Sequence, residues 1–392
     1  MTTLSPDPGT LRRLLDDAHD RLPAMLADIE RLVRVESPSA DLAAVAAGAE
    51  AVAAVLLDRL GARPEVLERD GVTHLRLRLG VESGAGAPPR VVLLCHQDTV
   101  WPIGTLDRLP FEHADGILRG PGSFDMLTGL VMAIHAIAAV RSVAGDGAVA
   151  DVCLLVTGDE ETGSVTSRSL ILDEAVAAAA VLVPEASADS GALKVVRKGV
   201  ALYQVEARGR AAHAGLEPEA GINAGLELAA QLPVVAGLGD ASAGTTVTPT
   251  TLSGGTTTNT VPARARVDVD ARASSAAELD RVDRAIRALT PVLPGAEVVV
   301  TGGLNRPPLE RPASEQLYAR YAALATTLGL PVPDGVAVGG GSDGNFTGGA
   351  GIPTLDGLGA VGGGAHADHE HVVVAEIAPR TALLAGMVLS AR

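Results

Sequence analysis

Three short aliphatic runs constrain this chain most: "VVLLC" at 91–95 and those that read as strands at 151–157 and 179–184. A strand that is apolar at every position has no solvent face. Each run therefore belongs in a sheet covered on both sides, the setting of a largely parallel α/β sheet. Segments with helical spacing alternate with them, at 126–143 and 164–177, after two earlier ones at 9–34 and 41–61. Two alternating stretches joined at Asp70-Gly71 read as a hairpin. Only 2% of the residues are aromatic, so Ala, Val, Leu and Ile must build the core.

The pattern changes near residue 199. "VALYQVEARG" alternates like a half-buried strand, and a helix at 223–237 follows. Two strands ("TTVTPTTLSGG", "ARARVDVDAR"), a charged amphipathic helix at 275–290 and "AEVVVTG" complete a β-α-β-β-α-β series, the ferredoxin-like order. After Pro307-Pro308 the α/β pattern resumes with a helix at 313–328, strands at 335–339 and 352–358, and a last helix at 374–391. The chain of 392 residues thus reads as a mostly parallel α/β domain in two parts, 1–198 and 309–392. An α+β domain is inserted at 199–308.

A formal net charge of -16 argues against nucleic acid or an anionic membrane as partner. No apolar stretch reads as a bilayer span and no secretory h-region is visible, so the expectation is a soluble, cytoplasmic protein. Cys95 and Cys153 lie inside apolar runs and read as buried thiols.

The polar residues just past the apolar runs carry the chemistry. "LLCHQDTV" supplies His96 and Asp98, "VTGDEETG" supplies Glu160 and Glu161, and "VLVPEAS" supplies Glu185. "GPGSFDM" places Asp125 at a helix start, and "GGGAHADHEH" supplies His366. Singly, each has an ordinary reading: a surface histidine, a helix N-terminal acid or a solvated turn. Together they would converge beyond the carboxyl ends of the strands, where open α/β sheets bind ligands. Two histidines and several carboxylates meeting there need cations. Mixed nitrogen and oxygen donors suit zinc, with cobalt or manganese as alternatives.

"HQDTV", "GPGSFDM", "DEETGS", "PEAS", "AAHAG", "GGTTTNTVP" and "GAHADHEHV" occur in an order that resembles the co-catalytic zinc metallopeptidase family. That family includes glutamate carboxypeptidase, aminoacylase, acetylornithine deacetylase and succinyl-diaminopimelate desuccinylase. The glutamate-carboxypeptidase-like branch is the most similar in "SFDM", "DEETGS" and "RKG". The resemblance implies a zinc-exopeptidase/phosphorylase-hydrolase-like catalytic domain with a ferredoxin-like lid and dimerisation domain. It implies two zinc ions bridged by Asp125, with His96 and Glu185 completing one site and Glu161 and His366 the other. Asp98 would orient His96, Glu160 would be the general base, and the peptide after Asp98 would be cis. From the inserted domain, His213 would stabilise the oxyanion in the partner subunit's site. Asn259, Arg272 and Arg306 would hold the substrate's carboxylate and the oxyanion, and Gly339–Asn345 would bind through backbone N–H groups.

Where relatives carry Lys after the "DM" of this motif, this chain has Leu127. That change puts the substrate pocket or the helix packing in question. The implied activity is hydrolysis of a peptide or N-acyl amide bond next to a free carboxylate, by a hydroxide bridging two metals, in a homodimer. A deacylase of N-acyl amino acids is the alternative, and a non-catalytic carboxylate- or peptide-binding homologue the remote one.

Overall fold

The three aliphatic runs become neighbouring parallel strands at the centre of an eight-stranded sheet. In a computed structural model, which describes residues 6–80 and 89–391, this sheet runs Glu65–Arg69, Val72–Arg78, Val152–Thr157, Val91–His96, Ala180–Val183, Thr354–Asp356, Leu193–Arg197, Gly335–Val338. The four strands from Val152–Thr157 to Thr354–Asp356 are parallel; Val72–Arg78 and Leu193–Arg197 join them antiparallel. Alternation along each strand explains the unbroken apolar runs. Val91, Leu93, Leu154, Val156 and Leu182 face one core, and Val92, Leu94, Leu155, Val181 and Val183 face another.

The first core is closed by helices Pro8–Val33, Leu42–Leu60, Thr128–Ala144 and Ile377–Ser390, the second by the short helices Arg168–Ala175 and Gly344–Gly349. Local chemistry sets the ends of these helices. Asp7 and Asp41 accept backbone N–H groups at the starts of the first two, and Gly61 ends the second with φ 64°. The stretch Ser123–Ala144 is long and apolar enough to cross a membrane, contrary to the sequence reading. Because 83% of its most apolar window is buried in the protein, that apolarity belongs to a core helix.

The contacts divide the chain into two units. The first comprises Met1–Val196, Glu310–Val338 and Ser342–Arg392, and the second Arg197–Leu309 with Gly339–Gly341. The second unit is a four-stranded antiparallel sheet, Thr246–Gly254, Arg264–Ala273, Gly199–Arg208, Glu297–Arg306. Helices Ala224–Ala236 and Ala276–Arg287 fill the two gaps in its chain order, giving the expected β-α-β-β-α-β series and a core of its own. A third, small antiparallel sheet in the first unit was not legible beforehand. Its strands, Gly362–Gly363, His371–Val373, Ile117–Arg119 and Glu112–Ala114, are two or three residues long, too short for a periodic signal.

Candidate metal centre

Strand direction delivers the site. His96 ends one central strand, Glu160 and Glu161 follow the neighbour on one side, and Glu185 follows the neighbour on the other after Pro184. Asp125 lies on the turn before helix Thr128–Ala144. A Cβ at Gly129 would stand 1.8 Å from the Pro184 carbonyl oxygen, so only glycine lets the first helical turn lie against the Glu185 segment. His366, with φ 61°, comes from the loop between two strands of the small sheet.

The side chains converge. His96 Nε2 is 3.4 Å from Glu185 Oε1 and 3.5 Å from Asp125 Oδ1. His366 Nε2 is 3.1 Å from Glu161 Oε1 and 3.5 Å from Asp125 Oδ2. His96, Glu160 and Glu185 offer donor atoms within 4.8 Å of one another, as do His96, Asp125 and Glu161. Asp125 thus faces both histidines, one through each oxygen.

This donor set fits a pair of divalent cations. His96 Nδ1 lies 2.9 Å from the Asp98 carbonyl oxygen, which places the ring proton there. With the proton on Nδ1, the buried Nε2, which has no hydrogen-bond partner among the described residues, turns its lone pair into the carboxylate cluster, the arrangement of a metal-binding imidazole. The carboxylates draw positive charge into the cluster, in the form of ring protons when no cation is bound. Against the penalty of burial, Asp125, Asp98 and Glu185 hold His96 well above the usual histidine range. The Asp125 and Glu161 carboxylates push His366 up to about 10. Asp125, despite burial, is held far below the ordinary range by His366 and His96, while burial pushes Glu161 upward.

Comparison with known proteins bears on what such a cluster does. Residues 92–390 match the description "Peptidase family M20/M25/M40". The chain belongs to this family. It is therefore a metal-dependent hydrolase, and the cluster is its candidate metal site. Carboxypeptidase G2 of Pseudomonas sp. strain RS-16 is 29% identical over 96% of this chain and 91% of its own. A succinyl-diaminopimelate desuccinylase of Cereibacter sphaeroides is 30% identical over 85% of this chain and 92% of its own. Among solved structures, aminopeptidase PepT of Bacillus cereus shares the fold, with TM-score 0.70 and 22% identity over 94% of this chain and 98% of its own.

Around the candidate metal cluster, buried acids hold the backbone that carries the candidate ligands. The Asp98 carboxylate is 3.5 Å from His96 Nδ1, but its closer partners are Ser39 Oγ at 2.6 Å and the N–H groups of Glu160 and Glu161 at 3.2 Å. It therefore ties the His96 strand end to the Glu160–Glu161 turn. Asp159, for which the sequence offered no role, braces the same turn by accepting Thr166 N–H, Thr166 Oγ1 and Ser167 Oγ. Its signal was the run of hydroxyl residues beginning seven positions on. Glu370 accepts four N–H groups beside Asp125, and burial pushes its carboxyl up to about 7.

Four further candidate residues belong to the second unit. His213 is exposed, and its Nδ1 accepts the N–H groups of Gly215 and Leu216 at 3.1 Å, so the ring proton sits on Nε2. Asn259 is adjacent, its carbonyl accepting Ala214 N–H and its neighbour Thr260 bridging to His213. Arg272 and Arg306 both pair with Val200, from the strands on either side of it. The structure thus forms two pairs, His213 with Asn259 and Arg272 with Arg306. Strand Gly199–Arg208 separates them, with Val200 near one end and Arg208 at the other. At about 3.3 Å per residue these ends lie roughly 25 Å apart.

One expectation is corrected, and one open question closes. The cis peptide lies between Asp125 and Met126, and not after Asp98, where Thr99 pairs in extended form with Ser37 and Ser39. In the segment Gly339–Asn345, part of the backbone is engaged within the protein. Ser342 and Gly344 N–H donate to Asn345 Oδ1 and Ser342 Oγ, while the Gly339 and Gly340 carbonyls accept from Arg272 and Arg197. Leu127 is 3% exposed within the main hydrophobic core, so it serves helix packing.

Proposed function

We propose that this family member is a dizinc amidohydrolase cleaving a peptide or N-acyl amide bond beside a free carboxylate. The observation that carries the reading is the buried His96 Nε2, its lone pair directed at Asp125 and Glu185, with His366 and Glu161 on the other side of Asp125. His96, Glu185 and Asp125 would hold one ion, and Asp125, Glu161 and His366 the other. Two such ions supply Lewis acidity toward the scissile carbonyl and a water acidified toward neutral pH.

The chain's own groups carry the remaining steps. Glu160, buried beside His96 and Glu185, takes the proton of the attacking water and passes it to the leaving nitrogen. His213 Nε2–H is a donor suited to the oxyanion, because its Nδ1 is already committed to two backbone N–H groups. Arg272 and Arg306, gathered at one end of the antiparallel sheet, suit the terminal carboxylate of the substrate. Asn259, beside His213, assists at the other end.

The separation of the two pairs supports a homodimer in which His213 serves the partner's centre. Buried free thiols at Cys95 and Cys153 support a reducing, cytoplasmic setting.

The desuccinylase match favours a second reading, removal of an acyl group from an N-acylated amino acid. A screen of zinc-loaded protein against C-terminal glutamyl peptides and N-acyl amino acids separates the two. Release of a C-terminal amino acid from peptides supports the first reading, and turnover of acyl amino acids alone supports the second. No amide hydrolysis with zinc, cobalt or manganese would contradict both.

A further inference from the structure

Glu370 is a buried carboxylate whose lone pairs are all engaged by N–H groups. Oε2 accepts Trp101 Nε1 at 2.9 Å and Gly122 N–H at 3.0 Å; Oε1 accepts Phe124 N–H at 2.8 Å and Asp125 N–H at 3.1 Å. An ionised carboxylate has about four acceptor positions, and four donors fill them. No position remains for a metal, so Glu370 is not a sixth ligand. Three of its donors are consecutive or near-consecutive backbone groups of the turn that ends on Asp125.

The chain position of Glu370 gives these bonds their consequence. It follows His366 by four residues, in a loop closed by the bonds Ala367 N–H to Gly364 O and Glu370 N–H to Ala367 O. One side chain therefore fastens the His366 loop to the Asp125 turn. These two segments meet again at the ligands, where His366 Nε2 and Asp125 Oδ2 are 3.5 Å apart. The other metal position draws on His96, the last residue of a central strand, and Glu185, two residues past the end of another, both buried. His366 is the ligand least held by its surroundings, with 47% of its side chain exposed.

We infer that Glu370 is the positioning residue for the metal position formed by Asp125, Glu161 and His366, fastening the His366 loop to the Asp125 turn. The inference rests on the metal-centre reading above. It assigns Glu370 an unequal effect on the two ions, which a general contribution to folding would not produce.

Zinc titration by calorimetry, with chelator competition for the tighter ion, tests it on the full chain. The variants are E370A, the near-isosteric E370Q, H366A as the one-ion reference, and E227Q. Glu227 is another buried carboxylate, which accepts Val292 and Leu293 N–H groups in the second unit, so E227Q controls for the loss of any such anchor. The parent and E227Q should bind two ions. E370A should keep the tighter ion and bind the second roughly 10–100-fold more weakly, approaching H366A. E370Q should fall between, because its amide retains an acceptor for one pair of donors and opposes the other. If E370A is not recovered folded, E370Q alone decides the matter. Two ions bound by E370Q as tightly as by the parent would overturn the inference, and so would equal weakening at both positions. A parent that binds no zinc would instead overturn the metal-centre reading, and this inference with it.

Discussion

In the first unit five candidate ligands from separate segments meet in one cluster. In the second, four polar residues assigned to the same reaction divide into two pairs at opposite ends of one sheet. The difference follows from strand direction. Adjacent parallel strands all finish at the same edge, so residues just past their ends are neighbours however far apart in sequence. Antiparallel strands finish at alternate edges. His213 follows the Arg208 end of its strand, while Arg272 and Arg306 lie beside Val200 at the other end. The parallel sheet builds a centre within one chain, and the antiparallel sheet presents residues in two directions.

The largest effect that can break this comparison belongs to the first unit. Glu160→Ala should lower kcat by about 10²–10⁴-fold, while zinc content stays at two per chain. Near-normal turnover would remove Glu160 as the base, and loss of zinc would make it a ligand, a role its closeness to His96 and Glu185 also permits. In the second unit, Arg306→Ala should act mainly on KM. Loss of a hydrogen bond to a charged group, about 1.5–3 kcal/mol, corresponds to roughly ten- to hundredfold. An unchanged KM for carboxylate-bearing substrates would take Arg306 out of recognition.

The smallest catalytic effect should come from a carboxylate that joins helices away from the cluster. Asp28 accepts Arg59 Nε and Nη2 at 2.7 and 2.9 Å and lies 2.8 Å from His135 Nε2. Asp28→Asn should leave kcat unchanged and destabilise the fold by about 1.5–3 kcal/mol at neutral pH. Against burial, His135 and Arg59 hold the Asp28 carboxyl below its ordinary 3.8. A depressed folded value means its contribution is fully present above 3.8 and is lost as pH falls through that lower value. The gap in urea midpoint between parent and variant should accordingly shrink in acid. A gap that widens there would contradict the sign.

Much of this was legible in the sequence, for physical reasons that also mark where legibility stopped. Unbroken runs such as Val91–Cys95 announce strands buried on both faces, so the residues after them had to share an edge. That exposed His96, Glu160, Glu161 and Glu185. The ferredoxin-like order was legible because each element is at least nine residues long. The small sheet was hidden by its brevity. The work of Asp159 and Glu370 was only partly legible, because three of the four donors to Glu370 and one of the three to Asp159 are backbone N–H groups, which every residue type shares and which leave no mark in the sequence. The open role of Leu127 closed only with its burial in the core.

On the proposed reading, each chain carries a complete metal cluster but draws its oxyanion donor from a partner. Mixing subunits tests this most directly. His213→Ala and Glu160→Ala, each nearly inactive alone, are combined, partly unfolded and reassembled together. If His213 acts in the partner's site, mixed dimers contain one intact centre, and random pairing of a two-fold dimer should restore roughly a quarter of parent activity. Activity that stays at the level of the separate variants, with mixed dimers demonstrated by mass, would contradict the claim.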